Sequence, residues 1–293
     1  MIENDIKKIL KTYLEELLNK MVIDFPVNYN KKKHNWILNN LKESNVKNMV
    51  FVSSFESKYG NMFEDIATDI AKLTYGQQNV PNFIKGNDIS ETEFNDFVEK
   101  FTKKNKNKNM STKQYVVSGF NKKASSGTIT QFMNDNKGSG MGANKILPTL
   151  NQTNLEKFLD NDFVYNAKIK ENPVDLIIKD FNGNYNLMEI KAGGNLDSSN
   201  SPGNIEKMLG FYAALGIYNT KLYFSTLYNY KGEGNKWTGT ITAYLAEDMR
   251  LISQDFWNFV LPESVPFEDF KQIYFETNNE IGFTDKIDTL INE

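Results

Sequence analysis

The chain has 293 residues, of which 40% are apolar and 24% charged, with a formal charge of −3. Those values describe an ordinary globular protein with room for one large domain or two small ones. It has no cysteine and a single histidine, His34, which excludes disulfides, thiolate metal centres and metal sites built from several histidines.

Hydrolytic chemistry would therefore have to come from carboxylates, lysine, hydroxyls or a metal held by oxygen. No apolar run is long enough to span a membrane, and residues 1–20 are charged throughout, so neither a signal peptide nor a membrane segment is expected. The expected location is cytoplasmic. His34 follows Lys31, Lys32 and Lys33 and reads as a surface or helix-start residue.

Taken in chain order, residues 2–22 repeat apolar side chains at helical spacing: Ile6, Ile9, Leu10, Tyr13, Leu14, Leu17 and Leu18. Residues 34–44 read as a second, shorter helix. A long helix is expected from about residue 60 to 75, with Phe63, Ile66, Ala67 and Ile70 on its apolar face. Ser90 followed by Glu93 has the form of a capping box and predicts a helix over 90–100. Residues 101–123 hold seven lysines and no acid, a local charge of +7 that suits phosphate contact or a solvated loop.

Short β-like runs follow at Tyr115–Val117 and Thr128–Thr130. The Gly-rich stretch 137–144 lacks the Gly-Lys-Ser/Thr ending of a phosphate-binding loop. Leu155–Leu159 predicts a short helix and 163–170 a strand. Beyond residue 191, a helix over Ile205–Leu215 and strands over Lys221–Leu227 and Thr238–Leu245 are expected. Residues 261–293 carry eight acids and two lysines.

The segment from 173 to 191 carries the most chemistry. Val174–Ile178 is an apolar, β-branched run around Asp175, and Leu187–Ile190 is an apolar run around Glu189. Asn182-Gly183 between them is a strong hairpin signal. A carboxylate in an apolar strand is costly unless compensated. Two of them beside Lys191 point to a hard-cation site with a lysine next to it. The bare acid-x-lysine triplet occurs five times, at 5–7, 56–58, 135–137, 189–191 and 269–271. Only the fourth ends an apolar run that follows a turn and an acid-bearing partner strand.

This pattern resembles the active site of the PD-(D/E)xK nuclease superfamily, with Pro173, Asp175, Glu189 and Lys191 in the motif positions. The resemblance implies a mixed α/β (α+β) fold: a restriction-endonuclease-like core with a central mixed β-sheet flanked by helices, behind a helical N-terminal part. The expected division is a helical region over 1–50, the nuclease core over 51–260 with recognition insertions at about 101–150, and an acidic extension over 261–293.

A closer likeness is to type II restriction endonucleases, and within them to the TdeIII-like family. It is carried by Ser53-Ser54-Phe55 with Gly60, Asn61 and Glu64, by the run from Met188 to Asp197, and by Asp255-Phe256-Trp257-Asn258-Phe259. What this implies is Mg²⁺-dependent, site-specific cleavage of double-stranded DNA to 5′-phosphate and 3′-hydroxyl ends. The enzyme would be a bacterial homodimer, with a DNA methyltransferase encoded nearby.

Under that likeness Asp175 and Glu189 would be direct metal ligands and the Ile190 carbonyl a third. Lys191 would face the attacking water and the scissile phosphate, because alternation along a strand puts it on the face of Glu189. Glu64, on an upstream helix, would be the fourth member, holding the metal indirectly or binding a second ion. One or two Mg²⁺ are implied, with Mn²⁺ able to substitute. Arg250 is the single arginine, so base reading would fall to Lys, Asn, Gln, Ser or main chain. Lys122, Lys123, Gln131, Lys145, Asn195 and Lys207 are the expected DNA contacts. The competing readings are a repair or recombination nuclease of the same superfamily, a catalytically silent DNA-binding protein with this fold, and a hydrolase of small phosphoesters.

Overall fold

The computed structural model describes residues 2–106, 110, 112–140, 144–193 and 200–292, without the side chain of residue 39. The chain forms two compact units, one of residues 1–73 with 260–293 and one of residues 74–259.

The first unit is helical and is assembled from both ends of the chain. Helix α1 spans Ile2–Lys33, α2 spans Glu43–Tyr75, and α7 (Phe267–Glu280) and α8 (Phe283–Asn292) come from the C-terminal part. In α1 the residues Ile6, Leu10, Leu14, Leu17, Met21 and Phe25 recur every three or four positions and are buried, which makes one apolar stripe. Helices α7 and α8 both pack on α1.

Helices α1 and α2 differ from the sequence expectations at their ends. Helix α1 continues well past residue 22, through Pro26. The expected helix over 34–44 is a single 3₁₀ turn at Leu38–Asn40. Helix α2 begins at Glu43 rather than near 60, so Ser53-Ser54-Phe55 lies inside it.

The second unit holds two mixed sheets flanked by helices. The first sheet has the order β1 (Phe83–Lys85), β2 (Gln114–Ser118) and β3 (Lys170–Val174), parallel and then antiparallel. The second has the order β4 (Leu176–Lys179), β5 (Tyr185–Lys191), β6 (Thr220–Thr226) and β7 (Arg250–Ile252). β4 and β5 are antiparallel; β5, β6 and β7 are parallel. Parallel neighbours need a crossover connection, and α5 (Asn200–Leu215) supplies it between β5 and β6. α3 (Glu91–Lys104), α4 (Lys122–Asp135) and the short α6 (Gln254–Val260) complete the unit.

The core lies between the strands and α5, with Ile177, Leu187, Leu222 and Phe224 meeting Ile205, Met208, Leu209 and Tyr212. The capping box holds: Ser90 Oγ accepts from the Glu93 N–H, and Glu93 accepts from the Ser90 N–H. Three expected strands are corrected. Thr128–Thr130 belongs to α4. Residues 163–170 form no ladder before Lys170, where β3 begins. Residues 238–245 contain a 3₁₀ turn, Thr240–Ala243, in place of a strand.

Candidate active site

The hairpin forms as its turn residues dictate. Gly183 takes a φ of +85°, a left-handed conformation that glycine adopts without penalty. Asp180 organises the turn from inside: its Oδ1 accepts the N–H groups of Asn182 (3.0 Å) and Asn184 (2.9 Å). The resulting register pairs Leu176 with Met188 and Ile177 with Leu187. One step further along that register, 175 stands opposite 189. The turn therefore brings the two carboxylates face to face.

Asp175 sits between β3 and β4, where the chain leaves one sheet for the other. Its Oδ2 accepts the Ile190 N–H at 2.8 Å, taking the place of a ladder bond at the end of β5. In a strand the N–H and C=O of one residue point to the same edge. The Ile190 carbonyl thus faces the side on which Asp175 lies. Glu189 is 3% exposed, a carboxylate set in a strand of buried neighbours. Its Oε1 lies 2.6 Å from Lys191 Nζ and its Oε2 lies 2.6 Å from Lys207 Nζ. Lys207 Nζ is also 3.4 Å from Asp175 Oδ1, so one ammonium touches both carboxylates.

The electrostatics follow from burial and from these pairings. Burial, and then the charge of Glu189, push the Asp175 carboxyl above the ordinary aspartate range; Lys207, Lys191 and the Ile190 N–H pull the other way without cancelling it. Burial alone would lower the Lys207 ammonium, but Asp175 and Glu189 outweigh it and hold it above the ordinary lysine value. A buried ion pair is stable only with good geometry and further hydrogen bonds. The cluster sets two carboxylates against two ammonium groups, and Asp175 also accepts the Ile190 N–H.

The structure thus brings Asp175, Glu189 and Lys191 together. Glu64 lies on α2 in the helical unit and is half-buried; Thr68 Oγ1 donates to its carbonyl oxygen. Lys207, expected as a DNA contact, is part of the carboxylate cluster. Its sequence signal was its setting: it is a lone lysine in a helix where Ile205 and every residue from Met208 to Leu215 are buried.

Lys122 and Lys123 are exposed in the first turn of α4, behind the Asn121 cap. Gln131, on the same helix, is exposed and its amide donates to Asp135 Oδ1 at 2.7 Å. Lys145 lines a cleft of about 510 Å³ together with Asn235, Lys236, Arg250 and Gln254. Asn195 lies outside the described residues. Gly193, in the loop after β5, packs so closely on Tyr228 that a Cβ there would sit 2.5 Å from the Tyr228 carbonyl oxygen.

The donor set can be tested against a metal. Asp175 and Glu189 already converge on one shared cation, the Lys207 ammonium. Their ligand atoms are hard oxygens. Among the described residues no three His, Cys, Asp or Glu side chains gather as a metal site. The fit therefore rests on two carboxylates and a main-chain oxygen. Magnesium suits such a set, because it keeps several waters and takes only one or two carboxylates from protein. The residues fit the ion.

Two mixed sheets flanked by helices give the mixed α/β architecture of a restriction-endonuclease-like fold. Residues 90–278 match the family of type II restriction endonucleases described as HinfI, which is 189 of the 293 residues. The chain belongs to that HinfI family of type II restriction endonucleases, a class of nucleases that act on DNA. The family shown is HinfI and not the TdeIII-like one. No curated protein and no solved structure matches the chain. Among the described residues no helix is long and apolar enough to cross a membrane.

Proposed function

We propose that this protein cuts both strands of duplex DNA at a specific sequence, hydrolysing one phosphodiester per strand to a 5′-phosphate and a 3′-hydroxyl. The observation that carries the reading is the convergence of Asp175 and Glu189 on a single cation position, with Lys191 beside it. One or two Mg²⁺ are the proposed cofactor, with Mn²⁺ as a substitute, held by Asp175, Glu189 and the Ile190 carbonyl. Once bound, such an ion lowers the pKa of a coordinated water and neutralises charge on the reacting phosphate.

The remaining work belongs to the chain. Lys191 stands on the face of Glu189 and presents its ammonium to the phosphate and the attacking water. Asp175, tied to the Ile190 N–H, fixes the end of β5 so that Glu189 and Lys191 keep their spacing. Glu64 is proposed as an indirect ligand or as the holder of a second ion. Lys122, Lys123, Gln131, Lys145, Asn195 and Lys207 are proposed DNA contacts, and Lys145 shares its cleft with Arg250. The protein would act as a cytoplasmic bacterial homodimer, with a methyltransferase encoded nearby to protect the host.

The test is digestion of a plasmid and a phage genome by purified protein, with Mg²⁺ or with EDTA. Discrete Mg²⁺-dependent fragments are expected. Asp175→Ala and Lys191→Ala should each lower cleavage by about 10²–10³ while leaving DNA binding by gel shift largely intact; Glu64→Gln examines the fourth position in the same assay. An undiscriminating smear would favour a repair or recombination nuclease. Absence of cutting with every divalent metal would overturn the enzymatic reading, and full activity in either of the first two variants would show that the site lies elsewhere.

A further inference from the structure

We infer that Lys207 is a built-in cation that occupies the position of the divalent ion and must leave it before metal can bind. The inference rests on the reading of Asp175 and Glu189 as a metal site. Lys207 Nζ lies 2.6 Å from Glu189 Oε2 and 3.4 Å from Asp175 Oδ1, the two side chains proposed to hold the ion. Lys191 does not share this position: its Nζ meets the other oxygen of Glu189.

The charges show why the two cations exclude one another. Asp175 and Glu189 contribute two negative charges, and Lys191 and Lys207 contribute two positive ones, so the cluster is formally neutral. A divalent ion entering it would stand among like charges, in a site where Glu189 is almost fully buried. Loss of the Lys207 contact removes one of those charges and vacates carboxylate oxygens for the ion. The side chain has somewhere to go. Lys207 is 31% exposed and sits in the first half of α5, with its ammonium over the Phe211 ring at 5.6 Å. A long, flexible lysine stem can swing from carboxylates to solvent or to a nearby phosphate.

Two consequences follow. Without DNA, Mg²⁺ binds weakly, because Lys207 competes for the same oxygens. With DNA, a backbone phosphate attracts the Lys207 ammonium and at the same time offers the ion an oxygen, so phosphate and metal load together. Lys207 would thus delay metal loading until substrate is present, and it acts as a positioning residue for the carboxylates until then.

Isothermal titration of Mg²⁺ into the full chain, without DNA, tests the exchange. Lys207→Met should bind Mg²⁺ at least about tenfold more tightly than wild type, the size expected for removing a unit charge a few ångströms from the ion. Lys207→Arg, which keeps a charge that cannot be removed, should bind as weakly as wild type. Thermal melting gives a second reading. In EDTA, Lys207→Met should melt below wild type, and Mg²⁺ should raise its melting temperature more than that of wild type. A purely structural lysine would lower melting without enlarging the Mg²⁺ increment. Equal Mg²⁺ affinity and equal Mg²⁺ increments in wild type and Lys207→Met would overturn this inference alone. No uptake of Mg²⁺ by any of the proteins would overturn it together with the metal reading on which it rests.

Discussion

Gln114 accepts the Ile177 N–H on its Oε1 at 2.8 Å and donates from Nε2 to the Ile177 carbonyl at 2.7 Å. A side chain thereby makes the two-bond exchange that a strand residue would make. It does so between β2, in one sheet, and β4, in the other, two residues beyond Asp175. Gln114 is 2% exposed, so water has little access to these bonds. Gln114 Nε2 also donates to the Pro81 carbonyl at 2.9 Å, so Gln114→Leu keeps the volume but takes a hydrogen bond from the Ile177 N–H, the Ile177 carbonyl and the Pro81 carbonyl. A loss of about 2–4 kcal/mol in urea unfolding is expected, with a slower cleavage rate because Asp175 loses its anchor. Unchanged stability would show that the sheets are joined by other means.

No sequence rule reveals such a residue, since a glutamine beside a β run is unremarkable. Asp175, Glu189 and Lys191 were legible because their apolar surroundings made charge conspicuous. Lys207 was conspicuous in the same way, but helix spacing alone does not say that it meets residues 32 and 18 positions earlier in the chain.

The elements divide along similar lines. The capping box at Ser90 and the Asn-Gly turn are local devices, complete within a few residues, and both form as expected. The run Thr128-Ile129-Thr130 is β-branched, yet it is helical. Its burial pattern explains why: Ser125, Ile129 and Met133 recur every fourth residue and all face inward. Packing of that stripe outweighs local β preference. The length of α1 and α2 escaped the reading because the polar halves of those helices are held by tertiary contacts. Two such contacts join the missed parts of the two helices: Asp24 Oδ2 lies 3.1 Å from Lys58 Nζ, and Tyr29 Oη donates to Glu43 Oε1 at 2.8 Å. A further clamp, in the part of α1 that was legible, joins it to α7: Lys7 and Lys11 each lie 2.8 Å from a different oxygen of Glu280.

Hydrogen bonds and charge from Lys11 and Lys7 hold the Glu280 carboxyl at about 2, below its ordinary 4.5. The contribution of this clamp is therefore full above the ordinary value and fades as pH falls from 4.5 towards 2. Glu280→Gln should unfold at lower urea than wild type at pH 7, and the gap should narrow as the pH is lowered from 4.5 towards 2. Added salt should narrow it too, because the pair is at the surface. A gap that is independent of pH would assign the effect to packing rather than to charge.

At the scale of the whole molecule, the helical unit draws on both ends of the chain, while the carboxylate cluster lies in the unit between them. Each chain holds one Asp175–Glu189 pair, whereas a duplex offers two scissile phosphates of opposite polarity. A two-fold symmetric pair of chains would set one site against each strand, as closed symmetry in homodimers provides. The alternative is a monomer that cuts twice in succession. Co-expression of wild-type protein with Lys191→Ala distinguishes them. If the active species is a dimer, mixed dimers have one working site and cut one strand. Supercoiled plasmid carrying one recognition sequence should then build up as nicked circles to a level that the wild type alone never reaches. A monomer would give linear product at a rate scaled to the wild-type fraction, with no added nicked species, and that result would sink the homodimer.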